Sequence, residues 1–340
     1  MQNSIRRILT LAPCCVIAFL LTGAAAGQIF SVVPLVSNLS GKAPHTDPLL
    51  KNPWGLAYAP GGAFWLSDEA SGWSTLYDGS GNPQALQVIV PSSSGTGAGT
   101  PTGIVYNGST EFKILNWTSV FLFATRDGTI CGWSAFEPAT ALIGARSAGS
   151  EYTGLAITSH ASGNFLYAAD HGNNRVDVYD GNFNLVKSFT DSNVPAGFAP
   201  FGIQDIAGQL YVTFASQIGG GGGLIDIFDE SGNFVKRLVQ NKVLDQPWGM
   251  AVAPAQYGVF GNALLVSNNT SAGTINAFHL TTGAFIGTLK NSNGKPIAID
   301  GLWGIEFGGG SVLNGGTNQL FFTAGPSDTN GSFGVIIGHT

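Results

Sequence analysis

The chain has 340 residues, a formal net charge of −6 and only 10% charged side chains, against about 25% in an average soluble domain. With 49 glycines and no basic run, the composition speaks for many tight turns and polar uncharged loops. It speaks against nucleic acid or an anionic membrane as a partner.

The N-terminus has the pattern of a signal peptide over residues 1–26. Arg6 and Arg7 form a basic start, residues 8–21 are mostly apolar, and Ala24-Ala25-Ala26 offers small residues for cleavage. The apolar run is shorter than the ~20 residues of a membrane span. Cleavage takes two of the 14 basic residues and moves the net charge from −6 to −8. It also removes Cys14 and Cys15, leaving Cys131 as a buried small apolar residue with no disulfide partner. The mature product is expected to be an exported monomer, periplasmic or extracellular.

Ile29-Phe30-Ser31-Val32-Val33-Pro34-Leu35-Val36 reads as a lone strand, with Pro34 suited to a sheet edge. A repeating unit then begins. Its openings are Pro53-Trp54-Gly55-Leu56-Ala57, Pro101-Thr102-Gly103-Ile104-Val105, Tyr152-Thr153-Gly154-Leu155-Ala156, Pro200-Phe201-Gly202-Ile203, Pro247-Trp248-Gly249-Met250-Ala251 and Leu302-Trp303-Gly304-Ile305. Successive glycines are 48, 51, 48, 47 and 55 residues apart. After each opening comes a near-continuous apolar run such as Phe64-Trp65-Leu66-Ser67 or Leu320-Phe321-Phe322-Thr323, suited to a strand buried on both faces. An alternating third strand and a hairpin follow, as in Val176-Asp177-Val178-Tyr179-Asp180-Gly181. In these hairpins Asp78, Asp180 and Asp229 have the places of turn residues.

Four strands per unit and six units predict an all-β fold, a six-bladed β-propeller of four-stranded antiparallel blades over residues 27–340. After Leu320 only Phe333-Gly334-Val335-Ile336-Ile337 remains to complete the last unit, which is one strand short. The lone N-terminal strand is expected to supply the missing one and close the ring.

In such a fold the loops before the first strands and after the second strands share one face of the axial channel. An aromatic ring of Trp54, Phe201, Trp248 and Trp303 is expected there, with Asp68, Arg126, Asp170, His171 and Asn268 around it. The ligand-binding candidates are therefore Trp54, Asp68, Arg126, Asp170, His171, Trp248, Asn268 and Trp303. Asp68, Asp170 and Asn268 have the oxygen donors to hold Ca²⁺ or another divalent cation. They also suit anchoring a polar ligand between aromatic walls, or satisfying backbone groups of their own loops. For the tryptophans, filling space between blades is the preferred reading. His171 beside Asp170 is the one candidate for acid–base chemistry, though a polar loop role suits it better. No Ser-His-Asp pattern, HExxH or phosphate loop occurs, and the five glycines from Gly219 to Gly223 read as a flexible loop.

Gly172-Asn173-Asn174-Arg175-Val176-Asp177-Val178-Tyr179-Asp180 resembles the core of an NHL-type repeat. With Asn52-Pro53-Trp54-Gly55-Leu56-Ala57, Ser74-Thr75-Leu76-Tyr77-Asp78-Gly79 and Ile299-Asp300-Gly301-Leu302-Trp303-Gly304, residues 30–337 resemble a family of exported bacterial six-bladed propellers. The resemblance implies the fold and export, and no activity. Some members carry a PEP-CTERM sorting tail; Ile336-Ile337-Gly338-His339-Thr340 has no such apolar tail, so a soluble product is expected. A second likeness is to six-bladed sugar-lactone hydrolases, which hold a divalent metal in the channel; it matches in kinds of residue only, and no catalytic residue is carried over.

The function expected from these features is a non-catalytic module that binds a small polar ligand, glycan or protein at the channel face. A metal-dependent hydrolase or lactonase and a structural envelope or matrix protein are the alternatives.

Overall fold

The repeat glycines have a steric cause. A Cβ on Gly55 would lie 2.6 Å from the Thr102 carbonyl oxygen, one on Gly249 2.6 Å from that of Trp303, and one on Gly304 2.8 Å from that of Trp54. On Gly154 it would stand 3.0 Å from the Phe201 oxygen, and on Gly103 and Gly202 it would run into Leu155 and Trp248. Each glycine thus faces the backbone of the next blade, and the sixth faces the first. Six inner strands can crowd round one axis only without side chains at these positions.

Hydroxyls of the first and second strands tie neighbouring blades across the gaps. Thr102 Oγ1 donates to the Tyr152 carbonyl (2.7 Å), Thr153 Oγ1 to Phe201 (2.8 Å), Ser267 Oγ to Trp303 (2.6 Å) and Thr323 Oγ1 to Trp54 (2.6 Å). All four are buried, so these bonds give the carbonyls a partner where water does not reach.

The computed structural model describes residues 28–160 and 163–339, and the ring it forms is a six-bladed β-propeller. From the axis outward the first blade is Pro53–Tyr58, Phe64–Asp68, Trp73–Tyr77 and Val88–Ile89. Four further blades repeat this order, their inner strands being Pro101–Tyr106, Tyr152–His160, Phe198–Ile206 and Pro247–Val252. The sixth runs Leu302–Phe307, Leu320–Ala324, Ser332–His339, and its outer strand is Ile29–Ser37 from the other end of the chain. That strand pairs antiparallel from Ile29 opposite His339 to Ser37 opposite Ser332, with an irregularity between Pro34 and Val36. The predicted closure is what is found, and His45–Thr46 adds a short parallel strand outside it.

Second strands are buried along their length, as in Phe64–Asp68, Phe121–Thr125 and Leu320–Ala324. They pack into apolar layers between blades. Cys131 is fully buried in one of these layers, and burial pushes its thiol up to about 12, so it acts as a small apolar residue.

The hairpin aspartates have the turn role read for them. Asp78 Oδ1 accepts the Asn82 backbone N–H (2.9 Å) and its Oδ2 the Asn82 side-chain amide (2.8 Å). Asp180 with Asn184 and Asp229 with Asn233 repeat the arrangement. Partial burial pushes these carboxyls up, but the asparagine bonds outweigh it and hold all three below the usual range. The segment read as a signal peptide, with Cys14 and Cys15, lies outside the described residues. No helix among the described residues is long and apolar enough to cross a membrane.

Candidate functional site

The four ring aromatics meet on the axis and form a plug. Trp54 and Trp303 stack with centroids 3.7 Å apart and planes 17° from parallel, and Trp248 stands edge-on to both at 6.3 and 5.8 Å. Phe201 closes the cluster, 6.2 Å from Trp54 and 5.7 Å from Trp303. All four are buried. Trp248 Nε1 donates to the Thr153 carbonyl (2.9 Å) and Trp303 Nε1 to Asn52 Oδ1 (3.0 Å). These rings pack on one another as a buried cluster of their own.

Around the plug, the other candidates are held in local networks. Arg126 covers the Trp54 ring at 5.9 Å and pairs with Glu69 (3.2 Å) and Glu151 (2.7 Å). His171 holds its Nδ1 3.0 Å from the Pro200 carbonyl, and its ring lies beside Phe201. Because a carbonyl only accepts, Nδ1 carries the proton.

Asp68, Asp170 and Asn268 end the second strands of the first, third and fifth blades. Each is bonded within its own blade, although the buried Oδ1 of Asp68 has no hydrogen-bond partner among the described residues. Asp68 Oδ2 accepts the backbone N–H and hydroxyl of Thr75 (3.0 and 2.8 Å). Burial raises the Asp68 carboxyl well above its usual range despite those bonds from Thr75. Asp170 Oδ1 accepts the N–H groups of Glu151 and Asn173, and its Oδ2 the Asn173 amide (2.8 Å). Asn268 Oδ1 accepts the Asp245 N–H (3.1 Å), and its amide donates to the Val243 carbonyl (2.8 Å). The three stand on three separate blades. Among the described residues no group of three or more His, Cys, Asp or Glu is arranged to hold a metal ion.

The site that is open lies below the plug. A cavity of about 360 Å³ follows the axis from the repeat glycines to the ends of the inner strands, with Trp248 at its closed end. The size is that of a pocket for a small organic molecule. All six blades contribute to its wall. Its polar groups are Tyr58, Tyr106, Gln204, Asp205 and Glu306, and no lysine, arginine or histidine is among the described lining residues.

Glu306 is the group the sequence reading missed. It stands two residues after its repeat glycine, where the other blades carry Ala57, Val105, Ala156, Gln204 and Ala251. Burial pushes its carboxyl up to about 7, offset only in part by the Phe307 backbone N–H. Beside it the Tyr58 hydroxyl donates to the Phe307 carbonyl (2.9 Å), tying the first blade to the sixth. Burial, then the neighbouring Glu306, raises that phenol to about 12. Asp205 lies at the strand end and accepts the Gly208 N–H (3.0 Å), closing a turn.

Comparison with known proteins supplies relatives and fold neighbours. The chain is 32% identical to Uncharacterized protein R648 of Acanthamoeba polyphaga mimivirus, over 85% of this chain and 75% of that protein. It is 31% identical to Uncharacterized protein L690 of the same virus, over 80% and 77%. These relatives are viral, where the sequence resemblance implied bacterial ones. No family model matches. Among solved structures, virginiamycin B lyase from Staphylococcus aureus superposes with a TM-score of 0.56 at 13% identity, covering 89% of this chain and 99% of that one. The aldose sugar dehydrogenase of Streptomyces coelicolor in its PQQ-bound form gives 0.52 at 13%, covering 92% and 99%. At such identities the shared property is the propeller fold.

Proposed function

We propose, for a chain that belongs to the same family as the mimivirus proteins R648 and L690, that it is a binding module whose axial cavity takes up a small organic molecule. The observation that carries this reading is the cavity itself. It is about 360 Å³ in volume, closed at one end by the aromatic plug and lined by all six blades, with the carboxyl groups of Asp205 and Glu306 among apolar and other polar lining residues. Apolar walls with a few placed polar groups are what small-molecule sites share. The ligand enters from the face opposite the ring first expected to bind it.

A carboxyl poised near neutral pH also suits general acid–base catalysis. Binding is preferred because no nucleophile–base pair and no metal donor set accompanies Glu306 among the described cavity residues. The NHL-like character of the repeats and export from the cell remain part of this proposal. They rest on the Gly172–Asp180 motif and on the basic–apolar start of the chain.

The test is a thermal-unfolding screen of cationic, neutral and anionic small organic molecules on the native chain and on Ala57→Phe, which fills the cavity. A ligand that binds only the folded state raises the midpoint in a saturable way. A rise that Ala57→Phe abolishes supports the site. A rise that persists in a folded Ala57→Phe protein places binding elsewhere, and no rise with any class overturns the reading.

A further inference from the structure

The wall of the axial cavity changes character with depth. Every inner strand places its repeat glycine beside the plug, and the next residue in each blade is a large apolar one. These are Leu56, Ile104, Leu155, Ile203, Met250 and Ile305. All six line the cavity and are otherwise buried. They make a collar of one side chain per blade, next to the closed end marked by Trp248.

Polar side chains enter the wall only beyond this collar. Gln204 and Glu306 stand one residue further along their strands, and Tyr58, Tyr106 and Asp205 one further still. At about 3.3 Å per residue, the first of them is roughly 7 Å from the level of the repeat glycines. The backbone at that deep level is engaged as well. The N–H groups of Gly202, Gly249 and Gly304 donate to Thr213, Ser267 and Thr323 of their own second strands (2.8, 2.9 and 2.9 Å). A hydroxyl carried down to the collar therefore loses water and meets no polar side chain, which costs affinity. An apolar group pays no such penalty there, and its burial is favourable.

We infer that the cavity takes a small amphiphile, its apolar end inside the collar toward Trp248 and its single hydrogen-bonding end at the level of Gln204 and Glu306. This rests on the axial cavity being the binding site. The two polar side chains stand on different blades, and either one alone gives a ligand hydroxyl a partner: the Gln204 amide donates and accepts, and the Glu306 carboxyl accepts. Selection comes from the order of the wall along the axis, apolar first and polar at the mouth. A molecule with polar groups at both ends cannot satisfy that order.

The experiment compares 1-hexanol with 1,6-hexanediol, which has the same length and a second hydroxyl at the far end. Isothermal titration at pH 7 is run on the native chain, on Ala57→Phe, and on the collar variants Leu155→Thr and Ile104→Thr. Far-UV circular dichroism confirms which variants are folded. On the native chain 1-hexanol is expected to bind at least tenfold tighter than the diol. A threonine in the collar offers the second hydroxyl a partner, so either collar variant is expected to narrow that ratio at least threefold. Ala57→Phe is expected to abolish binding of both. If the diol binds the native chain as tightly as 1-hexanol, or a folded collar variant leaves their ratio unchanged, the inference falls while the cavity reading stands. Binding that persists in folded Ala57→Phe overturns both. If neither molecule binds the native chain, the inference falls, and the screen of cationic, neutral and anionic molecules decides the cavity reading on its own.

Discussion

Trp54 and Trp303 lie nearly parallel with ring centroids 3.7 Å apart, although 249 positions separate them in the chain. One opens the first blade and the other the sixth, so their stack joins the two ends of the repeat series on the axis. Beneath it, Thr323 from the sixth blade donates to the Trp54 carbonyl (2.6 Å), and Asn52 accepts from the Trp303 indole (3.0 Å). Seal and closure are one structure.

Trp303→Ala should therefore destabilise the fold strongly. It removes a ring that is 3% exposed and leaves the Asn52 oxygen without its donor. Large-to-small changes of this kind cost about 3–5 kcal/mol. Trp303→Phe keeps part of the stack and should cost less. Urea unfolding followed by tryptophan fluorescence gives both values. A loss below about 1 kcal/mol for Trp303→Ala would mean that the plug contributes little to closure.

Removal of residues 28–37 should cost the chain its cooperative transition. The sixth blade would keep three strands and expose the edge of Ser332–His339, whose partners are Ile29–Ser37. An uncovered strand edge also invites self-association. Size-exclusion chromatography and a thermal scan monitored at far-UV wavelengths test this; a monomer with an unchanged midpoint would show that the closing strand is dispensable.

Divalent cations should leave the thermal midpoint where it stands. Asp170 has its oxygens on Glu151 and Asn173, and the buried Asp68 is bonded to Thr75. Scans with EDTA and with millimolar Ca²⁺, Mg²⁺, Mn²⁺ or Zn²⁺ are expected to superimpose. Asp170→Ala should cost about 1–3 kcal/mol through its orphaned loop N–H groups, equally with and without metal. A saturable shift with one cation that Asp170→Ala abolishes would restore the metal reading.

The sequence showed the ring because its cause is local: each inner strand needs a glycine facing the next backbone, so the same residue recurs once per blade. Closure was legible too, since the last unit lacked one strand and the first residues had one to spare. The roles of Asp68, Asp170 and Asn268 were not. A short polar residue at a strand end looks the same whether its oxygens point to a ligand or to its own loop, and only the bonds decide. Glu306 was hidden for another reason. Within Leu302-Trp303-Gly304-Ile305-Glu306-Phe307 it passes for the polar member of an alternating strand. Set against Ala57, Val105, Ala156 and Ala251 at the same distance from the glycine, it stands out as a charge where the channel wall should be apolar.

That charge should be visible in the pH dependence of stability. The Glu306 carboxyl is raised from an ordinary value of 4.5 to about 7 in the folded chain, chiefly by burial. Between these values the folded state holds a proton that the unfolded state has released, so the folded state binds more protons there. Stability then falls as pH rises through this window and levels off above about 7. Each tenfold change in proton affinity is worth about 1.4 kcal/mol, and with some relief from water in the cavity the loss is about 2–3 kcal/mol. Glu306→Gln cannot ionise and keeps the size of the side chain. It should match the native chain near pH 4.5 and exceed its stability by that amount at pH 8. Urea titrations of both proteins at pH 4.5, 6, 7 and 8 measure the difference directly. Curves that stay parallel across the series would show that Glu306 ionises in the folded chain as freely as in water, and that the cavity wall around it is open to solvent.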